Sequence, residues 1–159
     1  MAKADYFLKL GDIKGEATCD KHKEWIEIHS FSWGEKQGGG DQHVGHGAGK
    51  VHMEELTLSM GVNKASAELF LSCASGHHIK KAELSCCKAG KIQHEYLRIT
   101  LTDILVTSYH ISGHEGSAVS ENFALKFNVI EVEYKEQKAT GEVGAPVKAG
   151  WDQKTNAKK

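Results

Sequence analysis

The chain has 159 residues, a length that suits one domain around one core. Its formal net charge is -1 and Arg98 is its single arginine, which argues against a basic field for nucleic acid. No run approaches the roughly 18 consecutive apolar residues of a membrane helix, so membrane insertion is not expected.

The opening stretch, Met1 to Glu16, lacks an apolar h-region, and no cleavable signal is expected there. "DYFLKL" (Asp5 to Leu10) predicts a short strand punctuated by Gly11-Asp12. "EWIEIHSFSW" (Glu24 to Trp33) is aromatic and β-branched without helical periodicity and predicts another. Alternation puts Trp25, Phe31 and Trp33 on one face and Ile26 and Ile28 on the other.

"QGGGDQHVGHGAGK" (Gln37 to Lys50) follows, and it ends in Gly-Lys. A P-loop would place its first glycine where Val44 stands and a Ser or Thr where Val51 stands, and would lead into a helix rather than a strand. The motif is rejected, and no cofactor is expected. Asp41, His43, His46 and His52 offer imidazole and carboxylate donors for a metal-dependent enzyme. A glycine-rich frame holds ligands loosely, so solvent-facing histidines are the plainer reading and no metal is assigned.

"KVHMEELTLSM" (Lys50 to Met60) predicts a strand whose apolar parity switches between Met53 and Leu56, as at a bulge or a move between sheets. A helix is expected over about 64–76, with Asn63 or Ser66 as N-cap and Gly76 at C′. Its buried stripe should carry Leu69 and Cys73, with Phe70 or Ala74 beside them. Three long strands come next, around Ala82-Leu84-Cys86, Leu97-Ile99-Leu101 and Phe123-Leu125-Phe127. The last two flip parity midway, to Ile104-Val106 and Ile130-Val132-Tyr134, as strongly bent sheets do. Asp103 interrupts one of them, as a candidate carboxylate or a bulge. Cys19, Cys73, Cys86 and Cys87 read as free thiols, with Cys86 and Cys87 on opposite faces. The tail 136–159 holds the only proline, Pro146.

The sum is a mainly β chain: a small antiparallel β-barrel with one flanking α-helix and an extended glycine-rich loop at about 37–50, in a single domain over 1–159. No acid-base pair, triad or nucleophile motif marks an enzyme.

"LGDIKGEAT", "HSFSWG" with the run ending in "GAGKV", "SAELFLSCASG", "HEYLRITLTDILVTS" and "PVKAGW", taken in order, resemble the haemolysin-coregulated protein (Hcp) family of bacterial type VI secretion. The resemblance covers about Asp5 to Trp151. It implies a non-enzymatic tube protein that forms homo-hexameric rings, stacked rings in turn building the inner tube. Its implied partners are the sheath and spike components and effector proteins carried in the lumen. It implies residence in the bacterial cytoplasm followed by secretion without a signal peptide. It makes Gly38, Gly39, Gly40, Asp41, Gln42, His43, Val44, Gly45 and His46 the candidate ring-stacking loop. Trp25, Phe31, Trp33, Val147 and Trp151 are candidate subunit contacts, with the barrel core as the alternative place for the tryptophans. An exported carrier ring beside a separate tube-forming paralogue is the alternative function. Cys19 and the Cys86-Cys87 pair depart from the family pattern and leave disulfide cross-linking of exported rings open.

Overall fold

In a computed structural model, residues 4–38, 49–88 and 93–159 are described. Eleven strands and one α-helix run in the order β1 (Ala4–Leu10), β2 (Ile26–Ile28), β3 (Ser30–Ser32), β4 (Glu35–Gln37), β5 (Val51–Met53), β6 (Leu56–Gly61), α1 (Ser66–Ser75), β7 (His78–Lys88), β8 (His94–Ser112), β9 (Ser120–Tyr134), β10 (Val147–Asp152) and β11 (Ala157–Lys158). All strand pairs are antiparallel.

The pairings trace a curled wall. One arc runs β11-β10-β9-β8-β7-β1-β2, and a second runs from β9 through β6 to β3. The two arcs meet through the covalent chain at His29, between β2 and β3, where the His29 N–H also donates to Ser59 O at 2.8 Å. The expected barrel is therefore a wall with a seam at His29, not a sheet closed by ladders all the way round.

That seam corrects the single strand expected from Glu24 to Trp33. Glu24 has φ 67 and stands outside the sheet, and the break at His29 inverts the pleat. Ile26 and Ile28 point into the main core before the break, and Phe31 and Trp33 pack against the same core after it. Trp25 lies in a second, smaller cluster, so the three aromatics do not share a face.

The parity flips on β8 and β9 have one cause. Thr102 pairs Val129 and Ile104 pairs Phe127, so both strands bend together without changing register. Asp103 takes the strain at φ 60, a conformation that Asp tolerates better than most side chains. The bend lets Leu101 and Ile104 both reach the interior, and on β9 Phe127 and Ile130 do the same. The turn after β10 caps it. Gln153 N–H donates to Asn128 O and Lys154 N–H to Asn128 Oδ1, each at 3.0 Å, while Lys154 Nζ reaches Asp103 Oδ2 at 3.3 Å. Asp103 is thus a bend residue whose exposed carboxylate faces Lys154 and His78.

Helix α1 closes one end of the wall. Gly76 ends it in the left-handed conformation, with φ 67 and its N–H bonded to Ser72 O. At its start Asn63 Oδ1 accepts from Ala65 N–H at 2.8 Å, and Ser66 Oγ accepts from Asn63 N–H at 2.9 Å. Ser66 Oγ in turn donates to the fully buried Glu121 at 2.6 Å, and Tyr109 bonds the other carboxyl oxygen. Ala65, Leu69 and Ser72 are buried and Cys73 half-buried. Phe70 and Ala74 are exposed, which corrects their place in the buried stripe: they lie round the helix from the side that Leu69 presents to the wall. The tail is also more ordered than its composition suggests, since it supplies β10 and β11.

Candidate assembly surfaces

The glycine-rich segment springs from a two-stranded base set apart from the main wall. Glu35 pairs Met53, Lys36 pairs His52 and Gln37 pairs Val51. The parity switch between Met53 and Leu56 is thus a change of sheet, with Glu54 and Glu55 between the two strands. Gly38 lies at the open end of this base, where a Cβ would stand 3.0 Å from Lys50 O. Gly39, Gly40, Asp41, Gln42, His43, Val44, Gly45 and His46 lie outside the described residues. Of the four candidate metal ligands only His52 is described, and it is exposed opposite Lys36, a poor neighbour for a cation.

A cleft of about 530 Å³ separates this base from the β9–β10 edge. Trp33, Val51 and Met53 line one side; Ile130, Val132 and Trp151 line the other. Trp33 packs at 6.4 Å from the Phe127 ring. Both tryptophans are half-buried, and both indole Nε1 atoms are buried with no hydrogen-bond partner. A buried donor left unpaired costs about 1–3 kcal/mol.

Further apolar groups face outward. On the β9–β10 edge Val147 is 70% exposed and pairs with the exposed Tyr134. At the helical end Val62, Phe70, Leu71 and Ile111 are exposed. Of the candidate contacts, then, Trp33 and Trp151 come together across the cleft and Val147 stands on a neighbouring edge. Phe31 packs at 5.1 Å against Tyr6, and Trp25 is remote from the cleft.

One cluster escaped the sequence reading. On the outer side of β1, β7 and β8, the loop between β1 and β2 covers Phe7 and Cys87 with Ala17, Cys19 and Trp25. His22 is 3% exposed there, stacked on Phe7 at 4.5 Å and edge-on to Trp25 at 4.8 Å. Its Nε2 meets Ser85 Oγ at 2.9 Å and its Nδ1 meets Cys19 Sγ at 3.6 Å. Ser85 donates to Glu95, which Arg98 grips through Nε at 3.0 Å and Nη2 at 2.9 Å. Burial pushes the His22 imidazole below its ordinary value, against the pull of Glu95. Burial also works against the Glu95 carboxylate, but hydrogen bonds from Arg98 and Ser85 outweigh it and hold its pKa below the ordinary one. Desolvation raises the Cys87 thiol, and pushes that of Cys86, in the main core, up to about 12. No spacing rule links His22, Ser85 and Glu95, because only the folded wall brings them together.

Cys86 and Cys87 are 0% and 1% exposed, so neither thiol is placed to cross-link rings. Their predicted division between two faces is what the structure has. Among the described residues, no helix is long and apolar enough to cross a membrane.

A curled antiparallel wall, one capping helix and a projecting two-stranded base define a small β-wall protein with broad apolar faces. Residues 7–134 match the family model described as "Type VI secretion system effector, Hcp". Protein hcp1 of Pseudomonas aeruginosa is 40% identical over 156 residues, covering 96% of each chain. Among solved structures, a type six secretion system protein superposes with a TM-score of 0.93 at 29% identity, over 99% of this chain and 100% of that one. Hcp1 from Salmonella typhimurium does so at 0.82 and 35%, over the whole of both chains. The chain belongs to the Hcp family of type VI secretion proteins, a family of structural, secreted proteins and not of enzymes.

Proposed function

We propose that the chain is the subunit of a type VI secretion inner tube. Six copies close into a ring, rings stack inside a contractile sheath beneath a spike, and the assembled tube leaves the bacterial cytoplasm without a signal peptide. The lumen carries effector proteins. The observation that carries this reading is the identity to Protein hcp1 across 96% of both chains.

The surfaces suit it physically. A closed ring needs a heterologous interface, two different patches of one subunit that fit each other. The cleft between the β4–β5 base and β10 offers one patch, lined by Trp33, Val51, Met53, Val132 and Trp151. The exposed edge at Val147 continues it. The loop from Gly38 to His46, carried on that base, then makes contacts between rings. Its glycines tie an ordering cost to stacking rather than to ring closure.

Native mass spectrometry at micromolar concentration tests the proposal. The expected species has six times the 17.4 kDa chain mass. A monomer throughout overturns it. Val44→Glu should impair stacking in electron micrographs while leaving that mass unchanged. Loss of the ring with Val44→Glu would put the segment at the wrong interface.

A further inference from the structure

The loop from Asp12 to Trp25 is a closed unit laid on the outside of the wall. Gly15 N–H donates to Glu24 O at 2.8 Å, Ala17 N–H to Trp25 O at 3.0 Å, and Glu24 N–H to Ala17 O at 2.9 Å. The two arms of the loop approach so closely that a Cβ on Gly15 would fall 2.4 Å from Trp25 O. Such a loop can lift as one piece. Among the described residues, its side chains make two hydrogen bonds to the wall side of the molecule, Cys19 to Gln93 at 2.7 Å and His22 to Ser85. Packing supplies the rest: Ala17 and Trp25 against the Phe7–Cys87 cluster, the His22 ring stacked on Phe7, and the Arg98 guanidinium 6.0 Å over the Trp25 ring.

The hydrogen bonds fix the charge state that this packing accepts. Ser85 spends its proton on Glu95, so its oxygen accepts from His22 Nε2–H. Nδ1 then keeps its lone pair toward Cys19 Sγ, whose proton goes to Gln93. A second proton on the ring would face only sulfur, a weak acceptor. Cys19 and Lys21 come from the same turn, Phe7 from β1, Ser85 and Cys87 from β7, and Glu95 and Arg98 from β8, with Trp25 across the ring edge. Among the described residues, Glu95 is the one carboxylate paired with the ring, 4.0 Å from Nε2, and Arg98 and Ser85 already occupy it.

We propose that the loop over residues 12–25 is an acid-released latch, shut by neutral His22 and opened when that imidazole takes up a proton. Opening uncovers Cys87 and Phe7. The sign follows from linkage. An imidazole held below 6.5 when docked returns toward 6.5 when free, so the open form binds the proton more tightly. Opening is therefore favoured as pH falls below about 6.5, until the docked ring also protonates. Glu95, already held below 4.5, adds its own effect only beneath that window.

The assembled, full-length protein is labelled with 4,4′-dithiodipyridine from pH 7.5 to pH 4.8, and each cysteine is read by peptide mass spectrometry. Rates are normalised to the denatured chain. Labelling of Cys87 should rise below pH 6.5, by no more than about tenfold per pH unit for one proton, while Cys86 in the main core stays flat. His22→Gln should abolish the rise. A flat Cys87 profile, a parallel rise at Cys86, or a rise that survives His22→Gln overturns the latch. Should His22→Gln fail to fold, the ¹³Cε1 resonance of His22, assigned through its contacts with Phe7 and Trp25, decides. A midpoint below 6.5 supports the latch, and one at or above 6.5 overturns it.

Discussion

Strand β7 carries two cores, one on each side, and the neighbours Cys86 and Cys87 sit in different ones. The inner core is Leu, Ile, Val, Phe and Met from nearly every strand, sealed by α1. The outer one is a thin apolar layer of Phe7, Ala17 and Cys87, roofed by a loop and pinned by His22, Ser85, Glu95 and Arg98. The inner core draws on area removed from water, which no single residue controls. The outer core is small, so its stability rests on a few hydrogen bonds and on the charge that each group carries. One sheet thus separates a generic stabilising face from a conditional one.

The sharpest break of that contrast is a cavity in the inner core. Phe123 is among the largest fully buried side chains and packs where β6, β8 and β9 meet. Phe123→Ala should cost about 3–5 kcal/mol in denaturant unfolding. That loss should be the same at pH 7.5 and pH 5.5. A strongly pH-dependent loss would mean that the two cores are not separate.

A smaller and pH-dependent effect is expected in the outer core. Glu95→Gln removes the negative charge and replaces one of the two oxygens that accept from Arg98 and Ser85 with an NH2 donor, and should cost about 1.5–3 kcal/mol at pH 7. The folded pKa of Glu95 is depressed, so its contribution is present above about 4.5 and fades as pH falls through the folded value. Unfolding curves for the two proteins should converge in that range. A gap that stays constant down to pH 3 would show that Glu95 acts through shape rather than charge.

The same contrast explains what the sequence revealed. Alternation marks a strand with one apolar face, so Ala82-Leu84-Cys86 and Phe123-Leu125-Phe127 were legible as inner-core residues. The midway flips told of the bend at Asp103, and Gly76 of the helix end. The seam at His29 was not legible: a one-residue break between two short strands keeps the residue types of a continuous strand while reversing the pleat. The outer cluster was not legible either. Its members come from separate elements, and a serine or glutamate on a strand reads as solvent-facing until a loop covers it. Of the candidate contacts, Trp33 and Trp151 are far apart in sequence, and only the antiparallel return of β10 along β9 puts them across one cleft.

The smallest effect is expected at the bend itself, which belongs to neither core. Lys154 Nζ lies 3.3 Å from Asp103 Oδ2, but the lysine side chain is 73% exposed and the aspartate 42%. An exposed pair gains little because water and salt screen it while two side chains lose freedom. The bend is held instead by backbone: Lys154 N–H and Gln153 N–H bond to Asn128, and neither needs the lysine head group. Lys154→Ala should therefore change unfolding by within about 0.5 kcal/mol. Asn128→Ala, which removes one of the two acceptors of Lys154 N–H and leaves Asp152 Oδ1 at 2.9 Å, should cost more, about 0.5–1.5 kcal/mol. If instead Lys154→Ala proves the costlier of the two, the bend depends on the ion pair, and Asp103 is held by charge rather than by the turn beside it.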